Sequence, residues 1–168
     1  MKFDPNYTPL LICADPNEEP WSARELRVLA QGMVEWLWDD PLRRKKLPPL
    51  VMFSPDEHAA HVIVRWEDDM GWTEVEVDDE TAGKVMRAAP VLGSVDTDLT
   101  RIEKVVMRLS RKVFTEIDPT NWSRPVQHEI GHCLGLRHDH SGIMKTGVGL
   151  NPTIITQRNR EDAARLRA

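Results

Sequence analysis

Residues 128–144 read His128-Glu129-Ile130-Gly131-His132-Cys133-Leu134-Gly135-Leu136-Arg137-His138-Asp139-His140-Ser141-Gly142-Ile143-Met144. On a helix, four residues advance about 400° and 6 Å. His128 and His132 therefore project from one face. Two neutral imidazoles so placed can share a Zn²⁺ ion at Zn–N of about 2.0–2.1 Å. Glu129 lies about 100° further round, beside such a metal rather than on it, where a general base for a metal-bound water must sit. Gly135 readily takes the left-handed conformation that ends a helix and turns the chain. Leu136 and Arg137 then carry the chain round, and His138 can return to the same ion. Three histidines leave one coordination position open, which is the catalytic arrangement; a structural zinc site is closed by a fourth protein ligand. Five fixed positions (His, Glu, His, Gly, His) arise by chance in a chain of this length less than about once in ten thousand. Coincidence is therefore set aside, and a metal site without catalysis remains the other option.

The segment resembles the metzincin zinc-metalloprotease pattern, His-Glu-x-x-His-x-x-Gly-x-x-His followed by a Met-turn. Met144, six residues after His138, supplies the methionine, which in the family underlies the zinc ligands as a soft floor. The resemblance implies a zinc endopeptidase with Zn²⁺ on His128, His132 and His138 and a zinc-bound water activated by Glu129. It extends loosely to the matrixin-like branch through the upstream element order and through Asn121-Trp122 and Val126. The branch often has proline two residues after the methionine; here that residue is Thr146. Other metzincins place an oxyanion-holding tyrosine there. Tyr7 is the sole tyrosine of this chain, so stabilisation of the oxyanion would fall to the zinc. Asp139 resembles the reprolysin-like variant, either orienting a ligand or backbone or simply solvated. Matrixin zymogens use cysteine in a Pro-Arg-Cys-Gly context; Cys13 sits in Ile-Cys-Ala-Asp-Pro, a poor match.

Outward from the motif, residues 122–134 form the helix that carries it, 141–155 form a Gly- and Pro-rich loop, and 155–166 a short terminal helix. Residues 21–38 predict a helix opened by a Ser22–Glu25 capping box and closed before Pro41. Its expected apolar stripe is Leu26, Leu29, Ala30, Met33, Val34 and Leu37, flanked by Trp36 and Trp38. Strands are expected at 9–13, 50–53 and 62–66, with a hairpin arm at 73–77 and a further strand at 84–89. Residues 102–113 fit either a helix or a strand. β-Branched content and the matrixin-like order favour a strand at 104–109, and the same order makes 84–89 the edge strand of the sheet. The expected fold is α+β and zincin-like: a twisted mixed sheet, the active-site helix beneath it, and a cleft above the metal.

The chain has 168 residues, 40% hydrophobic and 29% charged, with a net charge of −5. That suits one domain over residues 1–168 and excludes wholesale disorder. A mildly acidic surface makes a poor nucleic-acid binder. No stretch approaches the ~20 apolar residues of a membrane span or shows a secretory signal. A monomer, cytoplasmic or exported by a non-classical route, is expected. Its expected partner is a peptide or protein substrate bound along an edge strand by β-augmentation.

Other features carry two readings each. His58 and His61, beside Asp56 and Glu57, are a second metal site or a polar loop. His140 either borders the site or lies in an exposed loop. Arg43 to Lys46 form a solvated loop or a partner patch. Cys13 and Cys133 are small hydrophobes or a bridge. The six tryptophans are core and cleft-edge packing or a ligand-facing cluster. Two other functions stay open: hydrolysis of a non-peptide amide, and a non-catalytic zinc-binding interaction module.

Overall fold

The computed structural model describes residues 9–18, 20–37, 50–98, 104–138, 142–145 and 154–166. It is a mixed α+β structure. The strands are β1 (Leu10–Ala14), β2 (Val51–Phe53), β3 (Val62–Glu67), β4 (Trp72–Asp79), β5 (Gly83–Pro90), β6 (Gly93–Asp98) and β7 (Lys104–Ser110). The helices are α1 (Ala23–Leu37), α2 (Val113–Glu116), α3 (Ser123–Cys133) and α4 (Gln157–Leu166), with 3-10 turns at Pro119–Asn121 and Gly142–Met144.

Five strands form one twisted sheet in the order β2-β1-β3-β7-β6. The first four are parallel, and β6 runs antiparallel to β7. Side chains alternate across a strand, so Ile12, Val62, Val64, Trp66, Met107 and Leu109 face one large core while Cys13 and Ile63 join a small cluster with Ala60. The helices α1 and α3 pack on each other against the large-core face. Residues 104–110 are a strand, paired with β3 on one side and β6 on the other. A strand covered on both faces reads as a nearly continuous apolar run, which is why periodicity alone left it ambiguous.

Ser22 and Glu25 form the expected capping box. Ser22 N–H donates to Glu25 Oε2 (2.8 Å), and Glu25 N–H donates to Ser22 Oγ (3.2 Å). The buried stripe of α1, however, is rotated from the expected one. Leu29 and Met33 are buried as expected, but Leu26 is 42% and Val34 50% exposed, and Ala30 is exposed. The buried positions are Glu25, Val28, Leu29, Gly32, Met33 and Trp36. Gly32 explains the rotation: a Cβ there would lie 2.5 Å from Val126 Cγ1 of α3, so the glycine face is the one that lets the helices approach. Trp36, expected to flank the stripe, is only 2% exposed, and its Nε1–H donates to Gln127 O (2.9 Å). The Leu37 side chain and Trp38 lie outside the described residues.

Glu25 also receives Arg111 Nε–H at 2.7 Å. Burial pushes its carboxyl up, but the hydrogen bonds from Ser22 and Arg111 outweigh it and hold the carboxyl below its ordinary value. The stabilisation from a depressed carboxyl is complete above its unfolded value and is lost as pH falls through the folded one. Glu25→Gln should therefore be about 2 kcal/mol less stable near neutral pH, the scale of hydrogen bonds to a charged group. The gap should close in strong acid, where wild type is neutral at that position too. Urea melts of both chains across the acid range check this.

The strand expected at the edge of the sheet is not there. Residues 84–89 belong to β5, which pairs only with β4 in a separate two-stranded hairpin. The edge beside α3 is β6, which the sequence reading missed; the opposite edge is β2. The Gly-Ser-Val-Asp-Thr-Asp sequence of β6 has low strand propensity, and pairing with β7 makes it a strand.

Candidate metal centre and cleft

The helix α3 ends in a Schellman motif. Gly135 has φ +93°. Its N–H donates to His132 O, and Leu136 N–H donates to Gly131 O, both at 2.9 Å. These bonds satisfy carbonyls that the helix end would otherwise orphan. They also reverse the chain within two residues, so His138 returns to the face that carries His128 and His132.

The three imidazoles converge. Each pair of Nε2 atoms is 3.1 Å apart. His128 Nδ1–H donates to Ile143 O (2.6 Å) and His132 Nδ1–H to Leu136 O (2.9 Å). With the proton on Nδ1, both Nε2 atoms present lone pairs. No hydrogen bond satisfies two lone pairs aimed at each other, but a cation between them does. A tetrahedral ion with Zn–N of about 2.0–2.1 Å holds its nitrogens about 3.3 Å apart, close to the observed spacing. Carbonyl partners on Nδ1 are also the usual way a metal-binding histidine is oriented. This group is the only candidate metal cluster among the described residues, and its donors fit zinc.

The electrostatics favour the neutral form of His128 and His138. Burial pushes the His128 imidazole down to about 4, assisted by its two histidine neighbours. Burial and His132 push His138 down as well. Neutral imidazole is the form that binds metal.

Beneath α3, the turn Gly142–Met144 supports the site. Met144 is 1% exposed, and a Cβ at Gly131 would overlap its Sδ. The turn is held by Asn159 of α4, whose Oδ1 accepts Ile143 N–H (3.4 Å) and Thr156 N–H (2.9 Å). Asn159 N–H in turn donates to Thr156 Oγ1 (3.2 Å). Sequence reasoning missed Asn159. Thr156 followed three residues later by Asn159 is a capping pair with an amide in place of the usual Glu or Gln, and that spacing is the signal.

Glu129 is 6% exposed. Burial pushes its carboxyl up to about 8, with the Asp96 charge adding to the shift. It opens into a cleft of about 820 Å³ bounded by the β4–β5 hairpin, the start of β6 and α3, and His128, His132 and His138 line the same cleft. Gly93 of β6 was also missed. A methyl group on Gly93 would lie 2.5 Å from Glu129 Cγ and 2.8 Å from its Oε1. Only a bare backbone fits against this carboxylate. Gly93→Ala should displace it while leaving the imidazoles in place. We expect unchanged zinc content and, in any hydrolysis that uses this carboxyl, a loss on the order of 10²-fold, the scale for a misplacement of about 1 Å. Metal analysis and kcat/KM on one preparation check both halves.

Other candidates fall away from the site. His61 Nδ1 accepts Leu11 N–H (2.9 Å), and His58 N–H donates to Asp56 Oδ1 (2.9 Å). Neither joins a metal cluster. No disulfide joins Cys13, buried beside Ala60 and Ile63, to Cys133 in the last turn of α3. Asp139, His140, Thr146, Tyr7 and the basic run 43–46 lie outside the described residues. Trp66 stacks on Phe114, which meets Trp122 edge-on, as packing predicts; Trp72 lines the cleft. No described helix is long and apolar enough to cross a membrane. No protein-family model matches the chain, and no curated protein matches its sequence.

Proposed function

We propose that the chain is a zinc-dependent endopeptidase, with His128, His132 and His138 holding the ion and Glu129 carrying the proton. The observation that supports this best is three imidazole Nε2 atoms 3.1 Å apart in one cleft with a buried carboxyl group. Zinc, when bound there, supplies Lewis acidity toward a carbonyl oxygen and toward water. Glu129 takes a proton from the attacking water and delivers it to the leaving amine nitrogen. The apolar surroundings and the close fit against Gly93 fix where that carboxylate points.

Substrate pairing is assigned to β6. Ser110 N–H donates to Leu92 O (2.9 Å), so Leu92 and Ser94 direct their backbone groups to β7. Antiparallel alternation turns those of Gly93 and Val95 the other way. An extended peptide added at this edge would meet those N–H and C=O groups, next to Glu129. This replaces 84–89 as the pairing strand.

Casein zymography tests the activity. A cleared band should appear with zinc-loaded protein, vanish in chelator and return with added zinc. An uncleared gel from zinc-loaded protein would count against a general endopeptidase and favour a non-peptide amide substrate or a binding module.

A further inference from the structure

Four glutamates line the cleft, Glu74, Glu76, Glu116 and Glu129, and among the described residues no lysine or arginine does. Four cations of the surrounding elements are matched: Lys84 pairs with Glu76 (2.8 Å), Lys112 with Asp69 (2.8 Å), Lys145 with Asp78 (3.6 Å), and Arg108 with Asp96 and Glu67. Glu74 and Glu116 have no ion pair or hydrogen bond from their side chains among the described residues. Glu129, nine-tenths buried, likewise has no such partner there. Its carboxylate faces the cleft. Glu74 and Glu116 therefore carry negative charge that no described side chain compensates, between low-dielectric walls that focus it.

We propose that the cleft selects cationic peptides, with Lys or Arg side chains beside the cleaved bond recognised by Glu74 and Glu116. This rests on the endopeptidase function proposed above. A peptide laid along β6 would lie in the cleft that Glu74 of the hairpin and Glu116 of α2 both line. A basic side chain there gains an ion pair with a carboxylate that is otherwise only hydrated. An acidic one meets like charge instead. Exposed pairs change affinity by up to about fivefold each, so two predict a preference on the order of tenfold. Salt should erode it, because both carboxylates are exposed.

The test uses the zinc-loaded chain and two quenched fluorogenic peptides that differ only in carrying Arg or Glu on each side of one bond. The kcat/KM ratio is measured at low and high salt. Binding of the same two peptides to Glu129→Gln is read by fluorescence anisotropy. The expected result is roughly tenfold faster cleavage and tighter binding of the Arg peptide, shrinking with salt. The double variant Glu74→Gln/Glu116→Gln should lose most of that preference while still cutting the Glu peptide. Cleavage with no preference, or with a preference untouched in the double variant, overturns the proposal and leaves the endopeptidase function standing. Tighter binding of the Arg peptide with neither peptide cut overturns the endopeptidase function and leaves the cation preference standing. Neither binding nor cleavage overturns both.

Discussion

Glu129→Gln should keep its zinc and lose nearly all peptidase activity. The substitution is isosteric, so the contact with Gly93 and the fold of α3 survive. The amide cannot accept a proton from water. Proton transfer by a positioned side chain contributes typically 10²–10⁴-fold, and the loss in kcat should reach at least that scale. Zinc content should not change, because Glu129 stands beside the three Nε2 atoms and is not one of the three candidate ligands. Stability should not fall either. The wild-type carboxyl is buried with no ion pair among the described residues, so the amide removes none. Zinc analysis, a thermal melt and kcat on the same sample separate the loss of chemistry from a loss of fold. Undiminished cleavage would remove Glu129 from the mechanism.

Stripping the metal should cost stability as well as activity. His128 and His132 stand on α3, while His138 lies beyond the Gly135 turn. An ion on all three ties helix to loop. A ligand that binds only the folded chain stabilises it by RT ln(1 + [L]/Kd), about 4 kcal/mol at 1,000 times Kd. For a domain of this size that corresponds to a Tm shift of roughly 10 °C. Chelator should lower the wild-type Tm by that order and added zinc should restore it. His132→Ala should melt at the low temperature with or without chelator. A wild-type Tm indifferent to both additions would show that the three imidazoles do not hold an ion.

What the sequence made legible was local. The His128-to-His138 spacing, the Gly135 turn and the Ser22–Glu25 box are each written within a dozen residues, and the structure brings each set together. Strand β3 was legible because three consecutive β-branched residues, Val62-Ile63-Val64, followed after Arg65 by Trp66, can hardly lie elsewhere. What escaped depends on distant partners. Strand β6 has polar, weakly strand-forming residues and exists because β7 offers an edge. The face of α1 was set by Gly32 meeting Val126, a contact between residues ninety-four apart (126 − 32). Gly93 reads as a loop glycine until Glu129 is seen against it, and Asn159 reads as a surface polar residue until Ile143 and Thr156 are found on its oxygen. Residues 84–89 were legible as a strand but not as half of a separate hairpin. Local pattern gives strand character and not the identity of the partner strand.

A zinc centre held by His128, His132 and His138 would leave its fourth position to substrate chemistry. Zinc-edge X-ray absorption on the metal-loaded chain tests it most directly. The account predicts one zinc per chain with three imidazole nitrogens at about 2.0–2.1 Å and no fourth protein ligand. A closed shell with a fourth side chain, a thiolate sulfur above all, would mark a structural site, and the absence of bound zinc would contradict the account outright.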